Sequence, residues 1–299
     1  MGVLDGIQDE IQQVAERAGK AVVGIGRRWG VGSGVVIGAG KVLTNAHNVR
    51  GEQVAVTFAD GRTADGLVRG LDVDGDLAVV EVDTADTPAI DWSAAATPGI
   101  GTPVFALANP GGRGLRVTLG FVTGIERSFR GPRGRRITRS LEHDAPLLPG
   151  SSGGPITTAD GQLLGVNTNR LGEGFYLAIP ADGNLRARID GLTRGESAAK
   201  PRLGIAVAPA QVARRLRRAV GLPDADGLLV RDVEDGGPAS RAGLAQGDLI
   251  VAAGGHPIHG IDDLFERLDA AADGALELTV IRGAEQRTVT VALGDGPNG

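Results

Sequence analysis

Cysteine is absent from all 299 residues, which excludes disulfides, thiol catalysis and Cys-ligated zinc. Aromatic residues make up only 3% of the chain. No apolar run approaches the roughly 18 residues of a membrane span, so no span is expected. There is no basic excess either: the formal net charge is −5, which argues against a nucleic-acid partner. The start, Met1-Gly2-Val3-Leu4-Asp5-Gly6, lacks the basic and apolar regions of a secretory signal. The expectation is a cytoplasmic protein, or an exported one if the sequence has been trimmed of a leader.

Glycine, by contrast, is plentiful, with 49 residues, which fits short strands joined by tight turns. Hydrophobic residues at 41% and charged residues at 22% belong to a soluble globular chain. The length accommodates two domains of about 150 residues each.

Leu4, Ile7, Ile11 and Val14 share one face of a short amphipathic helix over residues 1–20. From residue 21 the period changes to that of strands: 21–25, 34–37, 41–44, 53–58, 77–82, 103–107, 115–119 and 163–167. Many short strands with few helices predict an all-β barrel or sandwich. Residues 191–201 are small and polar, as in an interdomain linker. Beyond it, strands at 203–208, 227–232, 248–253, 275–281 and 286–292 alternate with helical stretches near 209–220, 238–243 and 261–272.

Pro149-Gly150-Ser151-Ser152-Gly153-Gly154-Pro155 sets serines among glycines. Alone it reads as a plain turn. It becomes a nucleophile loop only if the chain supplies a base and an orienting carboxylate. Of four histidines, His47 follows an apolar strand at a loop mouth and is the candidate base. His143 precedes the serine in a hairpin that aims it elsewhere. His256 and His259 have no third ligand nearby, so no metal site is expected. Asp76 abuts the strand 77–82, where its carboxylate can be held rigid against an imidazole. The order His47, Asp76, Ser152 is that of chymotrypsin-type triads.

These motifs, with Gly32-Ser33-Gly34-Val35-Val36-Ile37, Thr44-Asn45-Ala46-His47, Asp76-Leu77-Ala78-Val79-Val80 and Gly174-Phe175-Tyr176-Leu177-Ala178-Ile179-Pro180, resemble the HtrA/Deg family of serine proteases over nearly the whole chain. The resemblance implies a mainly β molecule: a chymotrypsin-like double β-barrel protease domain over 21–190 and a C-terminal PDZ domain over 202–294. It implies Ser152 as nucleophile, His47 as general base and then acid, and Asp76 as orienter. Gly150 and Ser152, with Ser151 between them, would form the oxyanion hole. Asn167, Thr168, Asn169, Phe175, Tyr176 and Leu177 would wall a pocket for a small or medium aliphatic side chain. This chain departs from the family in having Ser151 where Asn is usual, and in an arginine-rich segment at 127–136.

The run Ala242-Gly243-Leu244-Ala245-Gln246-Gly247-Asp248-Leu249-Ile250 looks like a PDZ signature. By that likeness the amides of Leu203, Gly204 and Ile205 would capture a C-terminal peptide. Leu264 and Leu268 would line its apolar pocket, unless they are simply core. The implied function is ATP-independent endoproteolysis of unfolded or misfolded chains in protein quality control, without a cofactor and as a homotrimer. The rival is a PDZ-bearing chaperone whose protease domain is latent.

Overall fold

The computed structural model describes residues 2–26, 32–93, 98–131, 134, 136–172, 174–196, 201–271 and 274–293. It divides into two compact units, Met1–Ala199 and Lys200–Gly299.

The first unit opens with helix α1 (Val3–Ala18), followed by β1 (Val22–Ile25), β2 (Gly32–Gly38), β3 (Lys41–Thr44), β4 (Gln53–Thr57), β5 (Thr63–Asp72) and β6 (Leu77–Glu81). Next come β7 (Pro103–Ala108), β8 (Arg116–Arg130), β9 (Arg136–His143), β10 (Pro155–Thr157), β11 (Leu163–Gly172), β12 (Phe175–Pro180) and helix α2 (Gly183–Thr193). Strands β1–β6 close a barrel in the order β1-β2-β3-β6-β5-β4, and β7–β12 close a second in the order β10-β11-β12-β9-β8-β7. Written as a ring, the second order repeats the first. Closure leaves neither sheet with a free edge.

Strand alternation decides which core each residue enters. On β7, Val104 and Ala106 face the second barrel's interior with Val122, Leu141, Ile156 and Ala178. Phe105 and Leu107 point the other way, into a cluster that also holds the first barrel's Val22, Val35, Leu43 and Val79. Burying such a side chain contributes about 1.5–3 kcal/mol.

Helix α1 docks by its C-terminal half. Val14 and Ala18 are buried, while Leu4 is 79% exposed and Ile7 stands at the surface, so only part of the predicted apolar stripe meets the barrels. Helix α2 was not evident in the sequence. Asp182 caps it by accepting from the Leu185 amide at 3.0 Å, and Leu185, Ile189 and Leu192 bury one face in the first cluster.

The second unit comprises β13 (Ile205–Ala208), α3 (Ala210–Ala219), β14 (Leu228–Val233), α4 (Pro238–Arg241), β15 (Leu249–Ala253), β16 (His256–Pro257), α5 (Ile261–Ala271), β17 (Ala275–Arg282) and β18 (Glu285–Ala292). Its sheet runs β13-β14-β15-β17-β18, so β13 is an edge strand.

Candidate active site

His47 sits in the short helical turn 46–48 just after β3, and Asp76 in the turn just before β6. Because β3 pairs with β6 from Lys41↔Glu81 to Thr44↔Ala78, the two turns lie side by side. His47 Nδ1 is 2.9 Å from each carboxylate oxygen of Asp76. A carboxylate oxygen here accepts, so Nδ1 carries a proton, and in the neutral ring Nε2 keeps its lone pair. The Asp76 carboxylate also accepts from the His47 amide at 3.2 Å and the Thr168 hydroxyl at 2.5 Å. It is 3% exposed against 38% for the His47 side chain, so a buried carboxylate meets an imidazole open to solvent.

The Asp76 backbone is left-handed, with φ +54°. That conformation costs a non-glycine residue about 1–2 kcal/mol and persists only where the surroundings hold it. Asn45 Nδ2 donates to the Asp76 carbonyl at 2.9 Å, fixing the residue from the base's side.

The loop bearing Ser152 is a type II turn. Ser151 N–H donates to the Leu148 carbonyl at 3.1 Å, Pro149 takes the second position, and Gly150 takes the third with φ +87°. Most other backbone groups of the loop are engaged as well. Gly153 N–H donates to the Asn167 carbonyl and Gly154 N–H to the Ser151 carbonyl. Ser33 Oγ donates to the Gly150 carbonyl at 2.8 Å. Ser33 N–H and Asn48 Nδ2 both donate to the Ser152 carbonyl at 2.9 Å. Among the described residues, the N–H groups of Gly150 and Ser152 have no acceptor. Both residues are half-buried, so these two N–H groups are the donors the loop leaves open to solvent or an outside oxygen. The Ser151 N–H is committed to its turn.

Ser152 Oγ itself donates to the Thr168 carbonyl at 3.2 Å; among the described residues no hydrogen bond joins it to His47. Gly153, with φ +87°, packs against the first barrel so closely that a Cβ would run into the Ser33 carbonyl and the Thr44 hydroxyl. That contact explains the glycine directly after the serine.

Of the residues expected to wall the specificity pocket, Asn167 and Thr168 are buried and polar, Phe175 is exposed, and Tyr176 is buried. The Tyr176 hydroxyl donates to the Leu147 carbonyl at 3.3 Å, so its ring spans from β12 to the nucleophile loop. Leu177 is fully buried against Phe129 and Ile137, which makes it core rather than wall. The Asn169 side chain lies outside the described residues. His143 is fully buried and turned from the triad, with Nε2 2.8 Å from Asn167 Oδ1. Burial pushes its imidazole below the usual histidine pKa, against the opposing pull of Asn167 and Asp144.

In the second unit, the Leu203 and Gly204 carbonyls accept from Ala239 N–H and Glu234 N–H, each at 2.9 Å. Among the described residues the N–H groups of Leu203 and Gly204 have no acceptor, and Ile205 begins the edge strand β13. Leu264 and Leu268 are almost fully buried in the core with Leu228, Ile250 and Leu278; they are core residues.

Comparison with known proteins agrees with this fold. The family profile of the trypsin-like peptidase domain matches residues 32–166, and that of the PDZ domain matches 229–282. The putative serine protease HhoA of Synechocystis is 37% identical over 279 residues, covering 88% of this chain and 70% of its own length. The serine endoprotease DegS of Escherichia coli is 30% identical, covering 89% of this chain and 77% of its own. The chain belongs to the HtrA/Deg family of serine endoproteases. Among solved structures, the serine endoprotease from Yersinia pestis aligns with a TM-score of 0.63 at 28% identity, covering 95% of this chain and 97% of its own. The HtrA-type protease AlgW with a tripeptide aligns with a TM-score of 0.59 at 27% identity, covering 97% and 98% respectively.

Several residues of this HtrA-family chain hold the site through roles that the motifs did not assign to them. Ser33 bridges the Asn109 amide, at 3.0 Å, and the nucleophile loop. Asn48 links Thr44 Oγ1 to the Ser152 carbonyl. Thr168, read as a pocket wall, also donates to the Asp76 carboxylate. Their long-range partners are more than 70 residues away in sequence: Ser33 to Asn109 and Gly150, Asn48 to Ser152, and Thr168 to Asp76.

Proposed function

We propose that this protein hydrolyses internal peptide bonds of unfolded or misfolded polypeptides, without ATP, by an acyl-enzyme mechanism. Ser152 attacks the scissile carbonyl. His47 takes its proton at Nε2 and returns it to the leaving amine, then activates water for deacylation. Asp76 holds the imidazole tautomer and stabilises the imidazolium. The amides of Gly150 and Ser152 receive the oxyanion; losing one such donor costs about 100- to 1,000-fold in rate. The observation that carries the reading is the pair of unengaged amides flanking Ser151, next to a serine whose neighbouring base is fixed by a buried carboxylate.

Tyr176, tied to the Leu147 carbonyl, supports a shallow pocket that takes Val, Ala or Leu at the cleaved position. A peptide-library scan that returned basic residues there would sink this preference. The unengaged amides of Leu203 and Gly204 beside an edge strand support capture of a peptide C-terminus as an added strand. The exposed Val3 and Leu4 of α1 support self-association as a trimer, which light scattering would read directly.

A second reading has its own support. Ser152 Oγ bonds to the Thr168 carbonyl rather than to His47, the geometry of a latent protease acting as a chaperone. Casein degradation by the wild type, lost in Ser152→Ala, establishes the first reading. Suppression of aggregation by both proteins, with cleavage by neither, establishes the second.

A further inference from the structure

We propose that Arg188, on α2, is a positioning residue for the triad acid: it clamps the peptide unit that enters Asp76 and so holds the left-handed turn presenting the carboxylate to His47. The inference rests on the assignment of Asp76 as triad acid proposed above.

The turn from Asp72 to Asp76 has two sides. On the downstream side, Asn45, Thr168 and His47 grip the Asp76 carbonyl and carboxylate. On the upstream side, the peptide group that Asp76 shares with Gly75 is held through Gly75. Asp72 Oδ1 accepts from Gly75 N–H at 2.8 Å. Arg188 Nη2 donates to the Gly75 carbonyl at 3.1 Å and to Asp72 Oδ2 at 2.6 Å. One guanidinium nitrogen therefore ties both anchors of the turn together. Asp72 is 6% exposed, so removing Arg188 would leave a buried carboxylate without its ion-pair partner. The fit is close: any side chain at Gly75 would collide with the Arg188 guanidinium, and one at Gly70 with the backbone of Leu192 on the same helix. The glycines thus let α2 approach near enough for Arg188 to reach the turn.

A left-handed aspartate persists only when its neighbours over-determine it. Without Arg188 the Gly75 carbonyl loses its donor and Asp72 its cation, and the peptide unit is free to rotate. Rotation there swings the Asp76 carboxylate away from Nδ1 without touching the substrate sites. The expected signature is a loss in the chemical step with substrate binding intact.

The test uses the full chain, a fluorogenic peptide, and diisopropyl fluorophosphate, whose reaction with Ser152 needs the triad but no peptide binding. Arg188→Ala is expected to lower kcat and the inactivation rate together, by about 10- to 100-fold, with KM within about twofold. Arg188→Lys should regain much of both, since an ammonium can still donate to the carbonyl and the carboxylate. Asp72→Asn should resemble Arg188→Ala, and the double variant should lose little more than either alone. Arg186→Ala, on the same helix but directed at the Trp92 carbonyl, should keep its kcat. Unchanged kcat and inactivation rate in Arg188→Ala, or a change in KM alone, would overturn the proposal while Asp76→Ala is inactive. If Arg188→Ala does not fold, unchanged rates in Asp72→Asn overturn it. Full activity in Asp76→Ala would bring down the triad assignment itself.

Discussion

Replacing Thr168 by Val removes one hydroxyl from the site and almost nothing else. The side chain is buried, its Oγ1 donates to Asp76 Oδ2 at 2.5 Å, and its carbonyl, which accepts from Ser152 Oγ, is untouched. Valine has the same shape, so packing is retained and the variant reports a single hydrogen bond. A hydrogen bond to an ionised group contributes about 1.5–3 kcal/mol. Among the described residues the Asp76 side chain has only the Thr168 hydroxyl, the His47 ring and the His47 amide as donors. The loss therefore falls on the carboxylate that must steady the imidazolium in the transition state. If all of it appears in the barrier, kcat drops by about 10- to 150-fold.

The assay is steady-state cleavage of a fluorogenic peptide, with thermal unfolding recorded in a Ser152→Ala background to exclude self-digestion. Thr168→Ser, which keeps the hydroxyl, is the companion and should retain most of the activity. Equal kcat in Thr168→Val and wild type, with both folded, would refute the reasoning, because Asp76 would then be held without this donor.

Gly153→Ala should abolish activity, since the residue combines φ +87° with contact against the Ser33 carbonyl; full activity on casein would contradict that packing. Asp248 is buried and accepts from Arg282 at 2.7 and 2.8 Å and from the Ala245 amide at 2.9 Å. Burial pushes its carboxyl up, but those donors win and leave it below the usual range. Breaking a buried pair costs about 3–5 kcal/mol, but the outer side of Arg282 stays in water, so Asp248→Ala should cost about 2 kcal/mol; hydrogen exchange in residues 201–293 reads the loss. His143, with its pKa depressed by burial, stays neutral in the native state where the unfolded chain takes up a proton. Stability should therefore fall as pH drops below about 6.5, by up to about 1.4 kcal/mol per pH unit until the native imidazole also titrates. Urea unfolding at pH 7.5 and about pH 5.5 should show a smaller loss in His143→Gln than in its parent; parallel losses would refute the assignment.

How much of this was legible in the sequence follows from how local each signal is. Strands buried on both faces, such as β6 with Leu77 to Val80 all buried, announce themselves as apolar runs. Strand β5 does not: most of its residues are exposed or half-buried, and Thr63-Ala64-Asp65-Gly66 reads as a loop until its pairing with β4 is known. Helix α2 did leave a trace in the 4-and-3 spacing of Leu185, Ile189 and Leu192, but Gly183 and Gly191 within it masked the pattern. The order His47, Asp76, Ser152 was readable because each of them is flanked by a distinctive motif. What could not be read is how the triad is held. Ser33 to Gly150, Thr168 to Asp76 and Arg188 to Asp72 are single hydrogen bonds spanning 117, 92 and 116 residues. A hydroxyl or guanidinium carries no mark of such a partner in its own surroundings. Two barrels of the same ring order bring these residues together, and the hydrogen bonds around His47, Asp76 and Ser152 depend on pairings that only the closed fold creates.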